Sequence, residues 1–538
     1  MTDVPCTSLA DVPNHPAAPC RRWWLAGLIV VMGAVLIAGV RFSEAFNTEA
    51  HRFLATVAAL LLIALLLYLW LVFFAGLQWG TKLSIVGAGM FSLIGLVATI
   101  RIEGVSGDIV PRLAWRWSLK PDERLDKPIP VAVDQGADAM VDLAATTADD
   151  FPQFLGPNHD GRIGAPRLGR DWKTHPPFLL WRQPIGAGWS SFAVVGKFAV
   201  TQEQRGELEL VVCYELATGK IRWSHADKGR FGKEIDGIGP RATPTIADGY
   251  VYTMGAEGRL NCLDGVGGQV VWTHDVLTEN HAQNAGWGKS CSPAVIGDLV
   301  VVSAGGPSGH SLVAYHKQSG ALVWKVGDEP SSYSSPALAI LAGVPQVLIV
   351  NPHSVVAHDP LDGHVLWSFP WGGDDAKVPQ PVPIDGDRVL IAAGYGVGCA
   401  MLGIAHDDHN AWEVREIWKQ NRLKPKFTNL VVGDGFVYGL DDGRTLVCLD
   451  LSDGKLKWKG GRYGHGQVLM VDDVLLIQAE NGEVALVEAT PERHHEWTRF
   501  QAIEGNTWNN PVLAGRFLLV RNAEEAACYE LQVEEGAS

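Results

Sequence analysis

The chain has 538 residues, of which 19% are charged, and its formal net charge is -15 at pH 7. This composition offers no basic stripe that would displace the counterions of phosphate groups, which excludes nucleic acid as an expected partner. Eight cysteines are too few for a disulfide scaffold in so long a chain, whereas 60 glycines and 20 tryptophans suit many short strands joined by tight turns.

The N-terminal region predicts a membrane anchor. Residues 1–20 are polar and contain proline, and we expect a disordered tail. Three uncharged apolar stretches follow, each about 18 residues or longer, which is enough to cross a bilayer core as a helix. An anchor is favoured over a signal peptide because two further spans follow the first and no small-residue cleavage site stands out. The transmembrane region is predicted at 21–102, with spans at 23–40, 53–77 and 83–100.

Arginines near the first span indicate the orientation. Arg21 and Arg22 favour a cytoplasmic N-terminus, so that three spans would place the rest of the chain outside. The signal is weakened by four arginines on the outer side, namely Arg41, Arg52, Arg112 and Arg116. We expect the protein in the cytoplasmic (inner) membrane, with its globular part on the periplasmic or external side.

Residues 103–150 are predicted to be a linker. They are rich in Pro, Ala and Asp and show neither a strand period nor a helix period. The more aromatic stretch 106–117 either lies on the membrane surface or forms an irregular loop.

A repeat organises residues 151–538. Its clearest copy is YELATGKIRW at 214–223, a turn with a glycine and a tryptophan four residues later. The tryptophans recur at intervals of roughly 40 to 50 residues, which is typical of architectures whose units bury their faces against each other. Five copies have the glycine, and Trp181, Trp418 and Trp497 keep the spacing without it. The eight marks are Trp181, Trp223, Trp272, Trp324, Trp367, Trp418, Trp458 and Trp497.

The repeats predict an all-β fold, an eight-bladed β-propeller of four-stranded blades. Alternating Val, Ile and Leu with Asp-Gly and Gly-Asp turns indicates antiparallel hairpins, as in 242–264. The first Trp strand, 178–181, lacks preceding strands, and the last repeat, 510–531, has only three. We therefore predict that the two ends complete the eighth blade and remove the last strand edge. A linear solenoid is the alternative.

The repeated residues are predicted to be structural. The glycine supplies a positive φ at the bend, and each tryptophan buries its ring against the adjacent blade as a docking residue. Small apolar cysteines are expected to pack inside the blades at one repeated position, namely Cys213, Cys262, Cys448 and Cys528.

The Asp/Thr-Gly-Lys-x-x-Trp pattern resembles the tryptophan-docking motif of the pyrroloquinoline-quinone (PQQ) repeat superfamily. The segments FPQFLGPNHDGR (151–162) and GPRATPTIADGYVYTMGAEGRLNCLD (239–264) are similar to the opening segments of bacterial PQQ-like propeller proteins. The resemblance covers 151–538 and implies a bacterial PQQ-repeat-like propeller behind N-terminal transmembrane helices. That superfamily holds quinoprotein dehydrogenases and non-catalytic propellers, including the scaffold lipoprotein of outer-membrane assembly, so the resemblance implies the fold more than the chemistry.

A dehydrogenase of this superfamily would bind PQQ in the central funnel, with Ca²⁺ at the reactive carbonyl and an Asp or Glu as base. The sequence has no adjacent cysteine pair, no compact run of oxygen ligands and no CxxCH haem motif, although ligands can come from separate blades. We therefore assign no catalytic residue, no metal site and no cofactor, with PQQ and calcium expected only under this alternative.

The longest connections between blades indicate where a ligand site would lie. Loops 224–241 and 273–290 fall on neighbouring blades and carry acidic, basic, amide and aromatic side chains. Shorter loops bring further polar and aromatic residues to the same end of the funnel. A plain polar, water-filled channel is the alternative. The candidate funnel-mouth residues are Glu234, Asp236, Arg241, Asn284, Trp287, Lys289, Tyr333, Lys426, Asn429, Trp508 and Asn509.

We expect a membrane-anchored, extracytoplasmic propeller that serves as a binding or scaffold module in the cell envelope. An envelope protein, a peptide or a small ligand would occupy the funnel mouth. The alternative is a PQQ- and calcium-dependent quinoprotein alcohol or sugar dehydrogenase coupled to membrane quinone.

Overall fold

The computed structural model of the protein describes most of the chain, namely residues 23–42, 49–125, 140–164, 166–233, 237–373, 375–407, 409 and 411–534. The predicted N-terminal tail, residues 1–20, lies outside this part. The chain divides into two compact units, Met1–Arg101 and Ile102–Ser538.

The first unit contains three apolar helices, α1 (Trp23–Phe42), α2 (Glu49–Phe73) and α3 (Trp79–Thr99). Each is long and apolar enough to cross a membrane. No more than 11% of the residues in the most apolar 18-residue segment of each helix are buried. This confirms the three predicted stretches, but α2 ends at Phe73 rather than 77. Its end is followed by Gly76, whose φ of 62° lies in the left-handed region that terminates helices.

A two-stranded hairpin precedes the propeller. It consists of β1 (Ile100–Val105) and β2 (Pro111–Trp115), and a 3-10 turn follows at Pro121–Glu123. The hairpin shares no sheet with a blade in the described residues. Further along the segment predicted to be a linker, Val141 and Leu143 are buried in a core cluster that also contains Trp223. Much of 103–150 therefore packs within the second unit; residues 126–139 lie outside the described part.

Eight antiparallel blades make up the propeller, as predicted. Two short strands, β3 (Arg162–Ile163) and β4 (Phe178–Pro184), come before the first complete blade. Blade 1 contains β5 (Ala193–Val195), β6 (Phe198–Arg205), β7 (Leu208–Glu215) and β8 (Ile221–Lys228), and a small hairpin of β9 (Gly232–Lys233) and β10 (Gly237–Ile238) follows it. Blade 2 contains β11 (Thr245–Ala247), β12 (Tyr250–Met254), β13 (Arg259–Asp264) and β14 (Val270–Asp275), and the short helix α4 (Val276–Glu279) follows.

The next blades repeat the plan. Blade 3 contains β15 (Ala294–Ile296), β16 (Leu299–Gly306), β17 (His310–His316) and β18 (Leu322–Val326), and blade 4 contains β19 (Ala337–Leu341), β20 (Val344–Val350), β21 (Ser354–His358) and β22 (Val365–Pro370). Blade 5 contains β23 (Val382–Ile384), β24 (Arg388–Ala393), β25 (Gly398–His406) and β26 (Trp412–Gln420), and blade 6 contains β27 (Val431–Gly433), β28 (Phe436–Asp441), β29 (Thr445–Asp450) and β30 (Leu456–Gly460). Blade 7 contains β31 (Gln467–Val471), β32 (Val474–Gln478), β33 (Glu483–Glu488) and β34 (Glu496–Gln501). Blade 8 contains β35 (Val512–Ala514), β36 (Phe517–Arg521) and β37 (Glu525–Glu530).

The two ends of the propeller close the ring together. Strand β4 pairs antiparallel with β37 as the fourth strand of blade 8, with Trp181 opposite Cys528. This confirms the predicted closure. Strand β3 adds a fifth, parallel strand to blade 7, with Arg162 opposite Met470.

The repeated tryptophans lie between blades. The indole N–H of Trp181 donates to the main-chain oxygen of Leu216 in blade 1 at 2.8 Å, and its ring lies where a Cβ on Gly219 would fall. Since Gly219 also has a φ of 70°, only glycine suits this bend. Five more indoles donate to the following blade in the same way, namely those of Trp223, Trp272, Trp324, Trp418 and Trp458.

Candidate functional site

The connections that lead into the innermost strands converge on one end of the central channel, which we call the mouth. A cavity of about 290 Å³ lies there. Its walls are largely aromatic. Phe154 and six residues from connections or turns of the blades place their rings on it, the six being Trp189, Trp287, Tyr333, Tyr395, Phe427 and Trp508.

The aromatic rings touch one another around the cavity. The centroids of Trp189 and Trp508 are 4.7 Å apart, and those of Phe427 and Trp508 are 5.3 Å apart. Across the cavity wall, Trp287 lies 5.2 Å from Tyr333 and 6.4 Å from Phe427. Such contacts hold large rings in fixed positions, so the mouth offers rigid apolar surface with ring faces that attract cations and flat groups.

Two cationic side chains also line the cavity. The Lys426 ammonium lies 5.0 Å from the centre of the Tyr395 ring and 5.4 Å from that of Phe427, and burial lowers the pKa of Lys426. The Arg241 guanidinium lies over the Phe231 ring and donates to the main-chain oxygen of Gly239. Among the described residues, the cavity wall contains no carboxylate.

The tip of the β1–β2 hairpin, residues 105–109, forms one side of the cavity. The N–H of Gly107 donates to Glu480 Oε1 at 2.8 Å, and Lys426 Nζ donates to the oxygen of Gly107 at 3.1 Å. A Cβ on Gly107 would overlap the imidazole of His465. Glycine is therefore required at this position for the tip to enter the mouth.

Two further contacts hold the tip. Asn506 Nδ2 donates to the oxygen of Val105 at 3.0 Å, and Asp108 Oδ1 lies 3.4 Å from Nε2 of the buried His465. Three of the four polar contacts at the tip thus engage main-chain atoms. The tip is therefore held mainly through its main chain.

Glu480 fixes several parts of the mouth at once. Besides Gly107, its carboxylate accepts from Trp508 Nε1 at 3.0 Å and from the main-chain N–H of His465 at 3.0 Å. Hydrogen bonds to a charged acceptor are stronger than those between neutral groups. Glu480 therefore couples the position of the hairpin tip to that of two mouth residues.

A closed circle of hydrogen bonds lies where the innermost strands begin. Thr243 N–H donates to Ser292 Oγ at 3.0 Å, and Ser292 N–H donates to Ser335 Oγ at 2.9 Å, which joins blades 2, 3 and 4. The other bonds of the circle run from Ser191 N to Thr243, Ser334 Oγ to Gln380, Gln380 N to Asn429, Gln467 Nε2 to the oxygens of Phe427 and Trp508, and Ser191 Oγ to the oxygen of Asn510. Every neighbouring pair of blades is linked, so the floor of the mouth is a rigid frame.

The structure separates the sequence-predicted mouth residues into three groups. Six line the cavity, namely Arg241, Trp287, Tyr333, Lys426, Asn429 and Trp508. Three others bond elsewhere: Asn284 to the oxygen of Ala256, Lys289 to the oxygens of Ser303 and Ala304, and Asn509 to the oxygens of Gly188 and Ser190. Glu234 and Asp236 lie outside the described residues. A ligand-binding role for any of them stays a prediction.

Sequence reasoning missed several wall residues. Trp189 and Phe427 stand just before the innermost strands in GWSS and KFTN, the place that Trp508 takes in TWNN, so an alignment of the eight strand starts identifies them. Tyr395 comes from the turn between β24 and β25, where the Gly-rich sequence gave no such signal. The hairpin tip was also missed, because residues 106–109 show no strand pattern of their own.

The described residues do not supply the oxygen ligands for a quinone-bound calcium ion. Calcium takes six to eight oxygen ligands, usually with carboxylates among them. At the mouth, Asn429 Oδ1 already accepts from the N–H of Gln380 at 2.8 Å, and the Glu480 carboxylate is occupied by three N–H donors. Gln467 Oε1, Asn509 Oδ1 and both carboxylate oxygens of Asp442 are buried without a protein partner, but these four oxygens are fewer than the six to eight that calcium takes.

Comparisons with known proteins agree with the fold. A family model described as outer membrane protein assembly factor BamB matches residues 207–460, a little under half of the chain. Quinohemoprotein alcohol dehydrogenase ADH-IIG of Pseudomonas putida is 25% identical over 289 residues, which cover 50% of this chain and 33% of that protein. Outer membrane protein assembly factor BamB of Moranella endobia (strain PCIT) is 22% identical over 263 residues, which cover 46% of this chain and 64% of that protein.

A solved structure extends the comparison. The crystal structure of BamB from Moraxella catarrhalis superposes with a TM-score of 0.50 at 16% identity, over 66% of this chain and 100% of that chain. The chain spans 33% and 64% of the length of the two curated relatives. The protein is a PQQ-repeat-like β-propeller preceded by three apolar helices of membrane-spanning length.

Proposed function

We propose that the protein is a membrane-anchored module that binds polypeptide at the mouth of its propeller and serves as a scaffold in the cell envelope. One observation carries this proposal. The polar groups of the mouth, chiefly Glu480, Lys426 and Asn506, engage main-chain N–H and C=O groups of residues 105–107. A mouth that holds one stretch of backbone in this way suits the recognition of another.

The surroundings support a binding role. Three apolar helices would anchor the propeller, and the arginines at 21–22 favour an extracytoplasmic position for it, on the outer side of the inner membrane. Rigid aromatic residues at the base of a recess are the side chains that contribute most to protein–protein binding. The similarity to BamB, an outer membrane protein assembly factor, fits a scaffold that acts on other envelope proteins.

A quinoprotein dehydrogenase is the second candidate, since ADH-IIG is among the relatives. When bound, PQQ supplies redox chemistry that no side chain provides. The mouth gives this candidate less support, because the described cavity wall has no carboxylate and the Glu480 carboxylate beside it already accepts three N–H donors.

One experiment separates the two candidates. The purified full-length protein in detergent is titrated with PQQ and Ca²⁺, and dye reduction is followed with alcohols and sugars. We expect no stoichiometric change in quinone absorbance and no turnover. Tight binding with turnover would overturn the scaffold proposal. The same preparation, carrying a photo-crosslinking residue in place of Trp287 in the mouth, should form defined adducts with envelope polypeptides. Replacing the exposed Leu456 on blade 6 provides the control position.

A further inference from the structure

The hairpin tip is a resident ligand of the mouth. It enters as a tight turn, with Ile109 N–H donating to Ser106 O at 2.8 Å and Ser106 N–H donating to Val110 O at 2.9 Å. Three main-chain groups of the tip form hydrogen bonds with the mouth, namely the oxygen of Val105 and both the N–H and the oxygen of Gly107. These contacts define what the mouth accepts.

We propose that the mouth is a receptor for a tight turn of a partner polypeptide in which a glycine is followed by an acidic residue, and that residues 105–109 occupy it in cis until such a turn displaces them. This inference rests on the proposed function and names its ligand class. The partner turn would take over the contacts of the resident tip, with its own apolar flanking residue against the aromatic wall.

The ligand chemistry follows from the contacts. Glycine is required because any Cβ at this point meets the ring of His465. An acidic residue is preferred after it because Asp108 Oδ1 lies 3.4 Å from His465 Nε2, and the cavity wall carries the cationic Lys426 and Arg241. Ile109 lines the cavity after the acidic residue, so an apolar side chain suits the third position.

Outside its tip the hairpin is weakly attached, which makes exchange feasible. It is a sheet of two strands that no blade extends, and an isolated two-stranded hairpin is marginally stable. Val110 and Leu113 are 44% and 63% exposed, so the hairpin contributes little to a core. Its outer contacts include half-exposed ion pairs such as Arg112 with Glu524 at 3.6 Å, and surface pairs contribute little stability. Segments of this kind open locally at low free-energy cost.

The test measures binding of a fluorescent peptide, IEGVSGDIVPRL, which copies residues 102–113. Fluorescence anisotropy is recorded with the full-length protein in detergent, as wild type, Gly107→Val and Gly372→Val. Gly107→Val expels the resident tip through its clash with His465, whereas a Cβ on Gly372 meets no atom within 4 Å and provides the matched control. Asp108→Ala is a milder second variant that weakens the tip and leaves the mouth intact. Hydrogen exchange at 102–113 reports whether the tip has left.

Gly107→Val should bind the peptide at least about tenfold more tightly than wild type or Gly372→Val, because the mouth without its hairpin tip becomes the dominant state. The affinity of Asp108→Ala should lie between these values. A peptide with valine at the position of Gly107 should not bind. The proposal is overturned if hydrogen exchange shows the tip released without a gain in peptide affinity, if the glycine and valine peptides bind equally, or if Gly107→Val leaves the tip in place. If the peptide test fails and the protein shows no PQQ-dependent dye reduction, only this ligand class is refuted. If the protein reduces the dye with PQQ, the proposed scaffold function itself is refuted.

Discussion

Glu480→Gln is expected to release the hairpin tip without unfolding the propeller. The carboxylate of Glu480 accepts from Gly107 N–H, Trp508 Nε1 and His465 N–H at 2.8 to 3.0 Å. Glutamine keeps the shape of the side chain but removes its charge. Its N–H₂ group also replaces one of the two oxygens that accept these hydrogen bonds. A hydrogen bond to a charged group contributes about 1.5–3 kcal/mol. Docking of the tip should weaken by that amount, which corresponds to roughly 10- to 150-fold more frequent opening.

Hydrogen exchange with mass spectrometry on the full-length protein measures this opening. Peptides that cover 102–115 should exchange roughly 10- to 150-fold faster in Glu480→Gln, while peptides from β32 in the core of blade 7 should be unchanged. Glu483→Gln is the matched control, since Glu483 lies on the same blade and pairs with Arg499 at 2.9 Å, away from the hairpin. Equal exchange of 102–115 in Glu480→Gln and wild type would refute the argument that main-chain contacts to Glu480 hold the tip.

Other predictions concern stability, measured by urea unfolding. Trp223→Phe, which loses the bond to the oxygen of Gly265 and buried volume, should cost about 2–3 kcal/mol, whereas the same change at the partly buried Trp497 should cost less than about 1 kcal/mol. Equal losses would contradict a special role for the interblade bond. Burial raises the pKa of Glu209 from 4.5 to about 7, so folding favours the protonated carboxyl. The stability of the wild type relative to Glu209→Gln should therefore fall by up to about 3 kcal/mol as pH rises from 4.5 past 7. A stability difference that does not change with pH would contradict this raised pKa. Arg521→Ala, which removes a fully buried guanidinium bonded to three residues of blade 1 and its approach, should cost about 3–5 kcal/mol, and a near-neutral result would show that the closure does not depend on it.

The propeller could be predicted because its signals are local and repeated. A glycine and a tryptophan four residues apart mark one bend and one outer strand, and the recurrence of the tryptophan, in three repeats without the glycine, gave the number of blades. The first repeat lacks strands before Trp181 and the last lacks one after 531, which predicted that the two ends complete one blade. The pairing of β4 with β37 confirms this closure. Each of these inferences needs only residues close together in the sequence.

The candidate site could be predicted only in part, because its contacts join distant residues. Gly107 and Glu480 are 373 positions apart, and nothing around Gly107 signals a strand or a turn that enters the mouth. Lys289 looked like a mouth residue, but its ammonium turns inward to the oxygens of Ser303 and Ala304, and burial lowers its pKa to about 8. Position along the repeat identifies which end of a blade a residue occupies; the direction of the side chain depends on the neighbouring blade.

The closure of blade 8 by the strand that comes before blade 1 has a consequence for folding. Arg182 and Tyr529 meet although 347 residues separate them, so the last blade cannot form until β37 has been made. Contacts between such distant residues slow folding, and until then β4 has no strand to pair with. A chain truncated before β37 should therefore stay open and be recognised by chaperones or proteases as unfinished.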